Sequence, residues 1–201
     1  MTTDEFWALI AHIDRDRLRG GEAHDEAALR PLVQGLTALE RSGLQSFQDH
    51  LAQALYDIDG PAHADAAGIA GSSDDSFLYV RCFVVAMGRD VYQRTLHDPG
   101  QMPGQECESL LYAARSAWQA QTGEDVHFET EVSFESGSNP LWSQASPPTE
   151  LDYAAHLRRD AQETRAMAEK IDDPVTKKDM LQIAVNYERM AEQLEKKISG
   201  G

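Results

Sequence analysis

The sequence predicts a mainly α-helical protein. It divides into a compact multi-helix domain over residues 1–135, a Ser/Pro/Gly linker over 136–149 and an antiparallel two-helix hairpin over 150–201, with at most one short strand or extended arm. Three observations carry this. Apolar residues recur at steps of three and four through most of the chain, the period that gathers them on one face of an α-helix. Capping residues and Gly/Pro breaks bound those stripes. Charge is divided unevenly: residues 1–135 hold 23 acids and nine bases, all arginine, whereas residues 136–201 hold 11 acids and nine bases and every lysine of the protein. Such a change of composition marks a segment of separate origin.

The first stripe is Phe6, Trp7, Leu9, Ile10 and Ile13, behind a Thr3-Asp4-Glu5 start whose hydroxyl and acids suit the positive end of a helix. A second, Leu29 to Leu39, follows the Gly20-Gly21 loop and places Pro31 in its first turn. A third runs from Ser42 through Leu44, Phe47, Leu51, Leu55 and Ile58 to the break at Gly60-Pro61. The alanine-rich stretch Ala62 to Ile69 makes a fourth helix. Ser73-Asp74-Asp75 then opens the strongest apolar segment, Phe77, Val80, Phe83, Val84 and Met87, which Gly88 closes with a left-handed residue.

Val91, Tyr92 and Leu96 form a sixth helix up to Asp98-Pro99-Gly100, and Leu110 to Trp118 a seventh, stopped by Thr122-Gly123. Residues 126–134 alternate roughly, as a strand or an arm that must pack on the helical body or pair with a second chain. In the linker Trp142 stands out, either as an anchor docked on the main domain or as a stray apolar residue. Beyond it, Ala154, Leu157, Ala161, Thr164, Ala168 and Ile171 face Met180, Ala184, Tyr187, Ala191, Leu194 and Ile198 across the Asp172-Asp173-Pro174 turn. This predicts a small-residue seam on one arm against larger residues on the other. Two helices alone bury little surface, so the hairpin needs its own domain, a second copy or a protein partner.

The formal charge of −16 argues against binding nucleic acid or an anionic membrane, since both depend on lysine and arginine neutralising phosphates. No stretch approaches the ~20 apolar residues that cross a bilayer. The acidic start, with no long apolar run behind it, is not read as a secretory signal. Cys82 and Cys107 have neither disulfide-framework nor zinc spacing, which fits a reducing cytoplasm. The usual nucleotide-binding and hydrolase signatures are missing, and no cofactor is expected.

Asp74, Asp75, Arg81, Arg89 and Asp98 are the candidate ligand or motif residues. Ser73-Asp74-Asp75 reads first as a helix cap. As a site, clustered carboxylates suit a hard divalent cation and the two arginines an anion. An arginine inside an apolar helix needs an acid, and Asp74, Asp75 or Asp98 would supply it for Arg81. Among seven scattered histidines, only His97 beside Asp98 draws notice.

The run Gly71-Ser72-Ser73-Asp74-Asp75-Ser76-Phe77, then Arg81, Gly88-Arg89, Tyr92 and Asp98-Pro99, resembles the bacterial domain of unknown function numbered 4240. Phe6-Trp7, the Phe47 to Tyr56 helix and Cys107 to Ala114 with Thr122-Gly123 extend the likeness over residues 4–124. The resemblance implies a helical bacterial domain without an established activity. Relatives carry a cysteine where Ser72 stands and aromatics at Val80 and Cys82, so a cysteine-dependent activity does not carry over. The expected role is a non-enzymatic protein-interaction or regulatory protein of the bacterial cytoplasm, an immunity-like protein being one specific version, with a protein partner or self-association through the hairpin. The alternative is a small-molecule or divalent-metal-binding enzyme using Asp74, Asp75, Arg81 and Arg89.

Overall fold

The computed structural model describes residues 1–144 and 149–199 and is mainly helical, with no strand among the described residues. Contacts divide it into two compact units, Met1–Trp142 and Ser143–Gly201. No helix among the described residues is long and apolar enough to cross a membrane.

In the first unit α1 (Thr3–Ile10) begins one residue earlier than the sequence implies: Thr2 is the cap, its hydroxyl and the Glu5 carboxylate exchanging hydrogen bonds with each other's backbone N–H. A single turn, α2 (Arg15–Leu18), is capped by Asp14 and is too short to leave a periodic signal. Helix α3 (Asp25–Leu36) corrects the placing of Pro31, which lies inside the helix and not in its first turn. The ring removes one backbone donor there, and burial of Ala28, Leu29, Leu32 and Leu36 holds the helix across the gap.

Helix α4 (Arg41–Asp57) buries Leu44, Phe47, Leu51 and Leu55. The expected fourth helix is split into α5 (Pro61–Ala66) and a 3₁₀ turn, Gly68–Ser72. Gly68 has φ +64°, which ends the α-helix, and Gly71 sits so close to α5 that an added Cβ would stand 1.8 Å from the Ala64 carbonyl oxygen. Ser73 then caps α6 (Asp74–Ala86) through the Ser76 N–H. α6 is buried nearly all round, as expected of the most apolar segment.

Gly88, at φ +96°, turns the chain into α7 (Arg89–His97). The seventh stripe is a 3₁₀ turn, Glu108–Tyr112, followed by α8 (Ala113–Thr122) with Gly123 in the left-handed conformation at its end. Residues 126–134 are the extended arm. They solve the missing-partner problem by packing: Val126, Phe128 and Phe134 meet the core, and the Gln45 side-chain amide donates to the Glu129 carbonyl at 2.6 Å. The short helix α9 (Leu141–Gln144) follows in the 136–149 segment, and residues 145–148 of the expected linker lie outside the described residues.

The second unit is the hairpin of α10 (Glu150–Glu169) and α11 (Pro174–Ser199). Thr149 caps α10, and Asp173 caps the start of α11 by accepting from the Thr176 N–H at 2.8 Å. Small residues line both arms. Ala154, Ala161, Thr164 and Ala168 are buried on α10 and Ala184 and Ala191 on α11, while Tyr187 and Leu194 are only half-buried. Seven-residue spacing of alanine on each arm lets the helices approach closely along one line.

Gly71→Ala is expected to cost about 3 kcal/mol through overpacking, read as a lower denaturant midpoint. Gly104→Ala, where a Cβ meets nothing within 4 Å, is expected to leave the midpoint unchanged or raise it slightly.

Candidate functional site

The most heavily connected polar group of the first unit is one that composition and motif reasoning passed over. Asp59 follows α4 directly and is fully buried. Its Oδ1 accepts from the Gly137 N–H (3.1 Å) and the Trp142 Nε1–H (2.9 Å), and its Oδ2 from the Asn139 N–H (3.0 Å) and the Ser138 hydroxyl (3.2 Å). Arg81, also fully buried, places Nη1 4.0 Å from Oδ1. The same Nη1 donates to the Leu55 carbonyl at 2.9 Å, and Nη2 to the Ser136 hydroxyl at 2.9 Å, which itself donates to the Asp74 carbonyl at 2.6 Å. The guanidinium also stands over the Phe77 ring, 4.8 Å from its centre. Burial lowers the Arg81 pKa, and Asp59 opposes the shift.

His63 lies beside this pair and is buried. Its Nε2 is 3.1 Å from the Thr95 carbonyl, which can only accept, so Nε2 carries the proton. Burial is the main cause that depresses the imidazole pKa; the Thr95 carbonyl works against it, Arg81 adds to it and Asp59 opposes it. The neutral ring is therefore the form the fold selects.

The sequence candidates are not gathered into one place. Asp74 and Asp75 are exposed on the first turn of α6. Arg89 stands fifteen residues beyond Asp74, past the far end of that helix, roughly 20 Å away at 1.5 Å per residue. It pairs with exposed Asp4 at 2.7 Å. Asp98 caps a 3₁₀ turn by accepting from the Gly100 N–H (3.0 Å) and the Gln101 amide (3.1 Å). His97 Nδ1 lies 2.7 Å from the Gln93 carbonyl. Arg81 is the exception in being buried, and its acid is Asp59, not Asp74, Asp75 or Asp98. It reaches Asp74 only through Ser136 and the Asp74 backbone.

Among the described residues no group of three or more His, Cys, Asp or Glu side chains could hold a metal ion. Both cysteines are buried and free, and burial pushes their thiols well above the usual range, away from the reactive thiolate.

In the hairpin, Arg158 pairs with Glu195 (2.6 Å), Arg165 with Glu188 (2.6 Å) and Lys197 with Glu150. At 100° per residue Arg158, Arg165, Glu188 and Glu195 fall on one side of the alanine line of their helices, and Tyr153, Met167, Ile183 and Met190, together with Glu150 and Lys197, fall on the other. Because the arms are antiparallel, like-handed flanks share a face: one face carries the two arginine–glutamate pairs, and the opposite face carries four large apolar side chains with the Lys197–Glu150 pair at one end. Those four apolar side chains are exposed. Of the eleven large apolar residues exposed among the described residues, nine belong to the hairpin, Tyr112 and Leu141 being the other two.

These features define a small helical domain built round a buried aspartate–arginine pair, with a two-helix hairpin as a second unit. The chain belongs to the family described as protein of unknown function (DUF4240), which matches residues 1–120 and so takes in α1 to α7 and most of α8. No curated protein and no solved structure matches it.

Asp59→Ala leaves the Arg81 guanidinium buried without its counter-charge and is expected to cost about 3–5 kcal/mol of stability. Trp142→Phe removes one donor to a charged acceptor and should cost about 1.5–3 kcal/mol. Both are read by denaturant unfolding. For His63 the folded pKa lies below the unfolded one, so the unfolded chain takes up the proton first as pH falls. Stability is complete above ~6.5 and declines below it, by at most about 1.4 kcal/mol per pH unit for one proton. His63→Gln is expected to flatten unfolding stability between about pH 6.5 and 5, where exposed carboxylates such as Asp125 and Asp173 have not begun to titrate.

Proposed function

We propose that this is a non-enzymatic protein-interaction or regulatory protein of the bacterial cytoplasm, and that it assembles with a second copy of itself through the apolar face of the hairpin. The observation that supports this most is the exposure of Tyr153, Met167, Ile183 and Met190 on one face of the hairpin, beside the Lys197–Glu150 pair, in a protein whose first unit buries nearly all its large apolar side chains. A hairpin joined along an alanine line buries little by itself. Isologous pairing sets the same face against its copy, so apolar meets apolar and four helices share one core.

A narrower version is an immunity-like role, in which the net −14 of residues 1–135 draws in a basic protein. Its mark is an association rate that falls steeply with salt. The alternative of a metal-dependent or small-molecule enzyme using Asp74, Asp75, Arg81 and Arg89 draws less support, since Arg81 and Arg89 already have acids and lie apart from the acid pair.

Sedimentation of the full chain is expected to give a dimer at micromolar concentration. The double substitution Ile183→Glu, Met190→Glu, on exposed positions, should give a monomer with unchanged helix content. A wild-type monomer across that range, indistinguishable from the variant, would overturn the self-association.

A further inference from the structure

A groove of about 320 Å³ opens on the first unit, where α4, α6, the Glu108–Tyr112 turn and the arm meet. At its edge lies Gln48, on the apolar stripe of α4 one turn after Leu44 and one before Leu51. Gln48 is 6% exposed, and its amide makes no hydrogen bond among the described residues. Its amide atoms are not sealed from solvent, so they open into the groove and are available to a partner from outside the chain.

The walls say what kind. Tyr79, Tyr112, Phe128 and Phe134 line the groove with aromatic surface, and Asp75 and Glu135 stand in it as exposed carboxylates. The one arginine present, Arg115, is neutralised by a two-pronged pair with Asp125 at 2.5 and 2.6 Å. Beside the groove Glu108 accepts from the Tyr112 hydroxyl at 2.8 Å. The field there is negative: the Tyr79 phenol is held above its ordinary range, first by burial and then by Glu108 and Asp75. Aromatic faces and carboxylates both attract cations, and a glutamine carbonyl accepts N–H donors. The apolar lining favours an organic ion over a bare metal ion, which would need more oxygen ligands than two carboxylates and an amide provide. The volume is at the small end of ligand pockets.

We infer that this groove binds an organic cation, an alkylammonium or guanidinium group on a short apolar stem, with Gln48 accepting one N–H, Asp75 and Glu135 supplying the counter-charge and the aromatic rings flanking the stem. The site is independent of the hairpin and of whether the chain dimerises.

The test is titration of the full-length protein and its variants by calorimetry, and of the unsubstituted protein also by the Gln48 side-chain amide resonances, with agmatine and cadaverine as free amines and acetyl-arginine and acetyl-lysine methylamides as peptide-borne groups. Pentanol and valerate are the neutral and anionic controls. Saturable shifts with the cations alone are expected, and the tighter class identifies whether the group arrives free or on a peptide. Gln48→Leu should keep or raise stability while weakening binding about tenfold or more, and the exposed pair Asp75→Asn, Glu135→Gln should weaken it similarly with the fold intact. Absence of saturable shifts at millimolar cation, equal shifts with pentanol, or affinities untouched by both variants would overturn the site and leave a groove that holds water only.

Discussion

The first unit depends on the satisfaction of one buried charge. A carboxylate at the end of α4 cannot keep its water, and two oxygens removed from solvent need several donors to replace it. Asp59 finds four from a single stretch of chain, two backbone N–H groups, a hydroxyl and an indole, and Arg81 answers its charge from α6. The pair is therefore less an ion pair than a knot: α4, α6 and residues 136–142 are tied at one point, with Ser136 carrying the connection on to the first turn of α6. Trp142 is held by both kinds of force at once, its indole N–H on Asp59 and its ring edge-on to Phe77 at 6.2 Å.

What sequence could show and what it could not divide along this same line. Helices show themselves because their cause is local: the stripes of α1, α4, α6, α10 and α11 repeat within a few residues, and Ser73 declares the start of α6 by side-chain chemistry alone. The family likeness was legible for a similar reason, since its motif is a contiguous run with two arginines downstream. The partner of Arg81 was not legible. Asp59 sits alone between Ile58 and Gly60 with nothing to distinguish it from other acids, and half of its donors are backbone N–H groups, which have no residue identity to read. Residues 136–142 look like the start of a linker because Ser, Gly and Asn are also what a tight cradle for a carboxylate requires. Pro31 misled for the opposite reason: a local rule about proline was overridden by burial of α3 on the core.

The hairpin obeys a different economy of surface. Alanine at seven-residue intervals on each arm brings two backbones together, and what joins the arms beyond that line is a set of exposed ion pairs, each worth little. Many of the side chains large enough to make a core are exposed or only half-buried. Such a helix pair is better built to be one half of a larger packing than to be a stable end in itself, which is why the unit outside the family's matched span carries the exposed apolar surface.

Two buried polar groups in the same unit make the final contrast. Asp59 is charged and carries the greater penalty, yet its own chain answers it completely, so it fixes architecture and leaves nothing over for a ligand. Gln48 is neutral, makes no hydrogen bond within the described chain and opens into a groove where aromatic surface and acid coincide. The acid–arginine motif conspicuous in the sequence falls mostly on the first side of this division, with Arg81 spent on Asp59 and Arg89 on Asp4. Asp75 alone reaches the second side. A motif can thus be specific to a family because it specifies how the chain closes, while capacity for binding resides in a residue as plain as a glutamine on an apolar stripe.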